Sequence, residues 1–365
     1  MHRLLSRAAA TALAITAAAA LAQSAPAPAP TPTPGHPTFA ADGTVHVPAF
    51  DLPPSALSSP EAQRFMTLRA QVRMPALFVD DIAKNRMAID AMMGSQIGAM
   101  KALYPVDITE STIAGVPVRI VTPHGRATDP ARVLINLHGG AFSVCWGSCS
   151  LLESIPIAGL GGYKVISVNY RMAPEARHPA AVEDAAAVYR ALLKHYAPRH
   201  IGVYGCSAGG ALTAQLAAWL PGHGLPQMGA AGIFGAGGVR FMAGDSAWIA
   251  ANIDGSFPAP PRPGETAIDM THGYFTGANM ADPIISPALH PAVIARFPPT
   301  LLITGTRAMD LSPAIVTNSA LVKAHVPSEL IVGEGMGHCY MYMPGLPEAR
   351  DAHRAIVDFF RRELQ

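Results

Sequence analysis

The chain has 365 residues, 50% of them hydrophobic and 14% charged, with a formal net charge of +1. That composition suits one large globular α/β core and excludes a disordered chain. It carries no Lys/Arg run or basic stripe, so no nucleic-acid partner is expected.

The first residues carry His2, Arg3 and Arg7, and an uncharged Ala/Leu-rich run then extends from Ala8 to about Ala22, where Ala20 and Ala22 flank Leu21. This predicts a secretory signal peptide over 1–22, cleaved near Ala22–Gln23, and hence an exported, periplasmic or extracellular protein. A membrane anchor is the rival reading, but the run is shorter than the roughly 20 residues a spanning helix needs. No other uncharged stretch is long enough, so no stable membrane span is expected once the signal is removed. Residues 23–57 read as a Pro-rich linker with an extended lead-in; the Ala-Pro and Thr-Pro repeats after Ser24 favour a polyproline-like chain.

Residues 58–104 predict helix. Ile82, Met87, Ile89, Met92, Met93, Ile97 and Met100 form a loose helical stripe in a segment without Pro. Met-rich helices adapt to irregular surfaces, so the segment is either a packing helix or a cap over a substrate pocket. The main domain is expected over 105–365. It opens with a hairpin over Val106–Val121 that turns at Ala114-Gly115. Short apolar runs follow at Val133–Leu137, Lys164–Val168, Ile201–Gly205, Gly229–Gly235, Thr300–Thr304 and Glu329–Val332. Helical stretches alternate with them, clearest at Ala180–Tyr196, Ala208–Leu220, Pro313–Ala324 and Glu348–Leu364. The alternation predicts a mostly parallel central sheet flanked by helices. Between about residues 240 and 299 it lapses into a long Pro- and Gly-rich stretch, read as a second part of the cap.

The four cysteines, Cys145, Cys149, Cys206 and Cys339, read as small semi-buried hydrophobes. If a bridge forms, Cys145–Cys149 is the expected one. Their spacing matches no zinc site, and no metal is expected.

Gly205-Cys206-Ser207-Ala208-Gly209-Gly210 follows one apolar run and precedes an Ala-rich helix. That context suits a tight strand–helix turn that projects the Ser207 hydroxyl and sets it at a helix N-terminus. A hydroxyl is a poor nucleophile at neutral pH and needs an adjacent base. His338, in Gly335-Met336-Gly337-His338-Cys339 after the last strand, is placed to serve. His195, His200, His325 and His353 lie on or beside helices and read as surface residues. Upstream, His138-Gly139-Gly140-Ala141-Phe142 follows a buried strand. Backbone N–H groups of Gly139, Gly140, Ala141 and Ala208 are the candidate oxyanion-hole donors. His138 is expected to brace that loop. Asp310 is the only acid in the loop after Thr300–Thr304 and so the candidate third member.

Together these motifs resemble the hormone-sensitive-lipase-like α/β-hydrolases, bacterial esterases with an HGG loop and a G-x-S-A-G-G elbow. Asn169-Tyr170-Arg171-Met172-Ala173-Pro174-Glu175 and Leu152–Ala158 extend the resemblance. It implies an α/β-hydrolase fold with a helical cap and a serine carboxylesterase acting on small-molecule esters of short to medium acyl chain, with no cofactor. Three positions depart from the family pattern. Ala141 replaces the third glycine, whose N–H stays available at negative φ and whose methyl predicts a narrower acyl pocket. Asn169 stands where Asp is usual. Ala308 occupies the usual place of the acid, two residues before Asp310. An amidase or polyester hydrolase with the same triad, or a weakened relative binding a small apolar ligand, are the competing expectations.

Overall fold

The computed structural model describes residues 35–71, 81–253, 257–262, 264–266 and 268–365. The predicted signal peptide and the linker through residue 34 lie outside the described residues. Two units, Met1–Leu52 and Pro53–Gln365, are distinguished. The described part of the first holds a small antiparallel pair, β1 (Thr38–Phe39) and β2 (Val45–His46).

The second unit begins with three helices, α1 (Pro60–Gln71), α2 (Ile82–Gly94) and α3 (Ile97–Leu103). The side chain of Asp81 caps α2 by accepting from Lys84 N–H at 3.1 Å. Then come β3 (Val106–Ile113), β4 (Val116–Pro123), β5 (Val133–Leu137), α4 (Cys149–Gly161), β6 (Lys164–Val168), α5 (Ala180–Leu192), β7 (Ile201–Cys206), α6 (Ala208–Gly222) and β8 (Ala230–Phe234). The chain ends with α7 (Asp245–Ile253), α8 (Pro291–Ile294), β9 (Thr300–Gly305), α9 (Leu311–Lys323), β10 (Ser328–Gly333) and α10 (Pro347–Glu363).

Eight strands form one sheet in the order β3-β4-β6-β5-β7-β8-β9-β10. β4 pairs antiparallel with both β3 and β6, and the pairings from β6 to β10 are parallel. The central strands β5, β7, β8 and β9 are buried along their length, as their predominantly apolar sequences require when both faces are covered. The two-residue period divides them between two cores. Val133, Ile135 and Leu137 pack with residues of α5, α6 and α9, whereas Leu134 packs with residues of α4 and α10. The loops after β5, β7, β9 and β10 leave the carboxyl ends of parallel strands, where open α/β sheets place their ligands.

Two expectations are corrected here. The cysteines are not free: Cys145–Cys149 and Cys206–Cys339 both form disulfides. The second pairing joins residues 133 positions apart, which chain spacing does not reveal. His353 is not a surface residue. It is buried on α10, where its Nε2 lies 3.0 Å from Met341 O, and burial pushes its pKa down to about 4. It is therefore neutral and braces the loop that follows His338.

Candidate active site

Ser207 stands between β7 and α6 with φ +60° and ψ −124°, a backbone conformation that L-residues avoid. The turn is held because β7 and α6 approach the loop after β5 too closely for side chains. A Cβ at Gly205 or Gly209 would lie 2.0 or 1.7 Å from Leu137 O. Ser207 N–H donates to Phe234 O at 2.9 Å, which fixes the turn against β8.

The loop after β5 makes a tight reversal in which Ser143 and Val144 N–H both donate to Gly140 O at 2.9 Å. The reversal forces positive φ on Gly140 (115°), Ala141 (51°) and Phe142 (58°). The expectation of negative φ at Ala141 therefore fails. Its N–H nevertheless finds no acceptor among the described residues, and neither do those of Gly140 and Ala208. Gly139 is corrected: its N–H donates to Glu153 Oε1 at 2.8 Å and is not free for an oxyanion. His138 is buried and stacks on Tyr170 at 4.3 Å between centroids, and its Nδ1 lies 2.6 Å from Gly139 O. Burial pushes its pKa down to about 4, so it is a neutral brace.

Asp310 sits at the N-cap position of α9, fully buried. Its Oδ1 is 2.5 Å from His338 Nδ1, and its Oδ2 accepts from Thr304 Oγ at 2.5 Å. Two successive turns bring it there: Ala308 N–H donates to Gly305 O and Leu311 N–H to Ala308 O, at 3.1 and 3.3 Å. Ala308 is buried beside it without taking part. The rings of Phe241 and Phe257 meet the His338 imidazole edge-on, with centroids 5.6 and 5.1 Å away.

Glu153, on α4, is the polar residue that residue-by-residue reasoning missed. Fully buried behind the site, it accepts from Gly139 N–H (2.8 Å) and Tyr342 OH (2.5 Å) on Oε1, and from Asn136 Nδ2 (2.7 Å) and Cys206 N–H (3.1 Å) on Oε2. Burial pushes its carboxyl up to about 7, against the pull of these four donors. It thus joins the loop before the unpaired N–H groups, the residue before Ser207 and the turn after His338.

Ser207, Ala208, Gly140, Ala141 and His338 line a cavity of about 840 Å³. Phe65, Leu68, Ile89, Met92 and Met93 from α1 and α2 form part of its wall. Residues of the 240–299 stretch, among them Phe241, Met270 and Phe275, form another part. Of the Met-rich stripe, Ile89, Met92 and Met93 face the pocket, whereas Met87 is exposed and Met100 packs in the core. Arg86 fastens α2 in place. It makes a two-pronged pair with Glu175 (2.7 and 2.8 Å) and donates to Ser143 O and Ala173 O (2.8 and 2.9 Å). Along α6 the lining runs from Ser207 through Ala211 to Gln215, whose buried Oε1 has no hydrogen-bond partner among the described residues.

Residues 134–342 match a family described as having the alpha/beta hydrolase fold. An acetyl-hydrolase of Streptomyces hygroscopicus is 29% identical over 243 residues, covering 64% of this chain and 77% of that protein. A versiconal hemiacetal acetate esterase of Dothistroma septosporum is 26% identical over 281 residues, 72% of this chain and 84% of that protein. Among solved structures, an esterase from the bacterial hormone-sensitive lipase family aligns with a TM-score of 0.71 at 28% identity, covering 84% of this chain and 99% of that one. By its matched residues, its sheet order and these relatives, the chain belongs to the hormone-sensitive-lipase-like family of α/β-hydrolases.

Proposed function

We propose that this protein hydrolyses carboxylic esters of short to medium acyl chain through an acyl-enzyme on Ser207, after export from the cytoplasm. The observation that carries the reading is one cavity lined by a strained serine, by His338 with Asp310 bonded behind it, and by three N–H groups that have no acceptor among the described residues. Ser207 Oγ attacks the ester carbonyl while His338 accepts its proton through Nε2. The imidazolium is steadied by Asp310 at Nδ1. The N–H groups of Gly140, Ala141 and Ala208 receive the oxyanion of the tetrahedral intermediate. His338 then returns the proton to the leaving alcohol, and water repeats the sequence on the acyl-enzyme. Esterase and acetyl-hydrolase activities among the relatives support the ester as the bond cleaved.

A fluorophosphonate probe should label the mature protein on the peptide that contains Ser207, and p-nitrophenyl esters of graded length should be turned over. Labelling that persists in Ser207→Ala would sink the assignment. Mass spectrometry of exported protein should find a chain beginning near Gln23.

A further inference from the structure

We propose that the Cys206–Cys339 disulfide is a positioning device for acyl transfer: it holds the base in register with the nucleophile. The proposal rests on the esterase reading above. Each half of the bridge is the chain neighbour of a reacting residue. Cys206 immediately precedes Ser207, and Cys339 immediately follows His338. The bridge therefore spans the two loops whose relative placement decides whether proton transfer can occur, with its Cα atoms 6.2 Å apart. The other disulfide, Cys145–Cys149, closes a local turn and neighbours neither residue.

The base loop is tied on either side of His338, by Gly335 N–H to Thr306 Oγ1 before it and by Tyr342 to Glu153 and Met341 O to His353 after it, but not at the base itself. Among the described residues, the backbones of Gly337 and His338 make no backbone hydrogen bond. Arg307 N–H binds Met336 O before them, and Tyr342 N–H binds Cys339 O only within the same turn. On the imidazole itself, Asp310 holds Nδ1, and Phe241 and Phe257 meet the ring edge-on. The bridge confines it on the Nε2 side. Cys339 Sγ lies 3.6 Å from His338 Nε2. The bridge and ring also share one tight space against Gly235: a Cβ there would lie 2.9 Å from both sulfurs and 3.1 Å from His338 Cε1. No side chain fits at 235 while bridge and imidazole hold their places.

Cutting the bridge has two consequences. The base loop gains freedom relative to Ser207, and a misplacement of about 1 Å in a reacting group can cost on the order of 100-fold in rate. A Cys339 thiol also appears beside Nε2, where it can donate to the nitrogen that must accept from Ser207. Removing both sulfurs by substitution produces the first effect without the second.

The test uses the full mature chain carrying Cys145→Ala and Cys149→Ala, so that one bridge alone is reducible. Cys339 lines the cavity, which gives a small reductant a route to it. A water-soluble phosphine converts the disulfide and one water into two thiols and the phosphine oxide. In reoxidation the two protein thiols pass two electrons and two protons to oxidised glutathione, which becomes two glutathione thiols as the protein disulfide re-forms. Values of kcat and KM on p-nitrophenyl butyrate are measured at each stage, with circular dichroism reporting the folded fraction. Expected are a fall in kcat of about 10- to 100-fold with KM within about threefold, and recovery on reoxidation. Cys206→Ala with Cys339→Ala should show the fall, and the reduced bridge an equal or larger one. The proposal is overturned if folded reduced protein keeps its kcat and only its unfolding midpoint drops. It is equally overturned if kcat is lost only in step with the folded fraction, because the bridge is then a staple of the fold. Should the alanine pair not fold, the reduction and reoxidation cycle decides alone. Absence of ester turnover in the oxidised protein would instead refute the esterase reading itself.

Discussion

Replacing Glu153 by Gln separates the stability of this site from its geometry. Each carboxylate oxygen accepts two hydrogen bonds, from Gly139 N–H and Tyr342 OH on one and from Asn136 Nδ2 and Cys206 N–H on the other. An amide offers one oxygen, so whichever way it turns, its NH₂ meets two donors. Two bonds to a charged group are lost, worth together about 3–6 kcal/mol. Against this, the substitution removes a buried charge. The carboxyl is raised from 4.5 to about 7 in the folded protein, and about 2.5 pKa units correspond to roughly 3 kcal/mol. The sign follows from the raised value: the stabilisation is fully present below about 4.5 and is lost as pH climbs through about 7. Wild-type stability in urea should therefore fall by about 3 kcal/mol between pH 4.5 and pH 8 relative to Glu153→Gln. At pH 8 the two proteins should differ by no more than about 3 kcal/mol. Catalysis has no such compensation, because donors flanking the oxyanion loop and the elbow are pushed off their acceptor. Expected is a drop in kcat of about 10- to 100-fold at pH 8. Equal kcat, together with a stability difference that does not change with pH, would refute this account of Glu153.

Asp310→Asn should lower kcat by about 10⁴-fold with little change in KM, and Ala308→Asp in the native enzyme should not raise it; a gain from the second substitution would mean that Asp310 is not the acid. Gln215→Leu should move the optimum in kcat/KM on p-nitrophenyl esters towards longer alkyl chains, because it replaces the polar boundary of the α6 wall about 12 Å along the helix from Ser207. An unchanged chain-length profile would show that substrates do not reach that far.

The strands were legible because their surroundings are simple. β5, β6, β7 and β9 have both faces covered, so burial dictates mostly apolar runs, broken only by small or hydrogen-bonded polar side chains such as Asn136, Ser167 and Thr304 and by Lys164 at a strand end, and their observed bounds fall within a residue of those expected from the sequence. α4 is not legible as a helix in the sequence. It carries Pro156, Ser150, Ser154 and Glu153 at buried positions, where polar side chains serve the site behind it instead of marking a solvent face. The same cause hid the role of Glu153, whose four partners come from separate parts of the chain. Cys206 and Cys339 could be paired only once β7 and β10 had taken their places in one sheet.

The displaced acid shows what a residue pattern can and cannot carry. In an extended loop, Asp310 would lie about 6.6–6.8 Å along the chain from position 308, and in a helix it would face nearly the other way. The chain does neither, because Gly305–Ala308 and Ala308–Leu311 form consecutive turns before α9 begins. That path buries Ala308 as filling and swings the next acid onto His338, with Thr304 holding its second oxygen. Thr304 lies on β9, on the opposite side of the turn from Ala308 in sequence, so the carboxylate is fixed from the strand as well as from the loop. A carboxylate held on both oxygens need not occupy the family's usual position in the sequence; it needs only to reach the same point beside Nδ1.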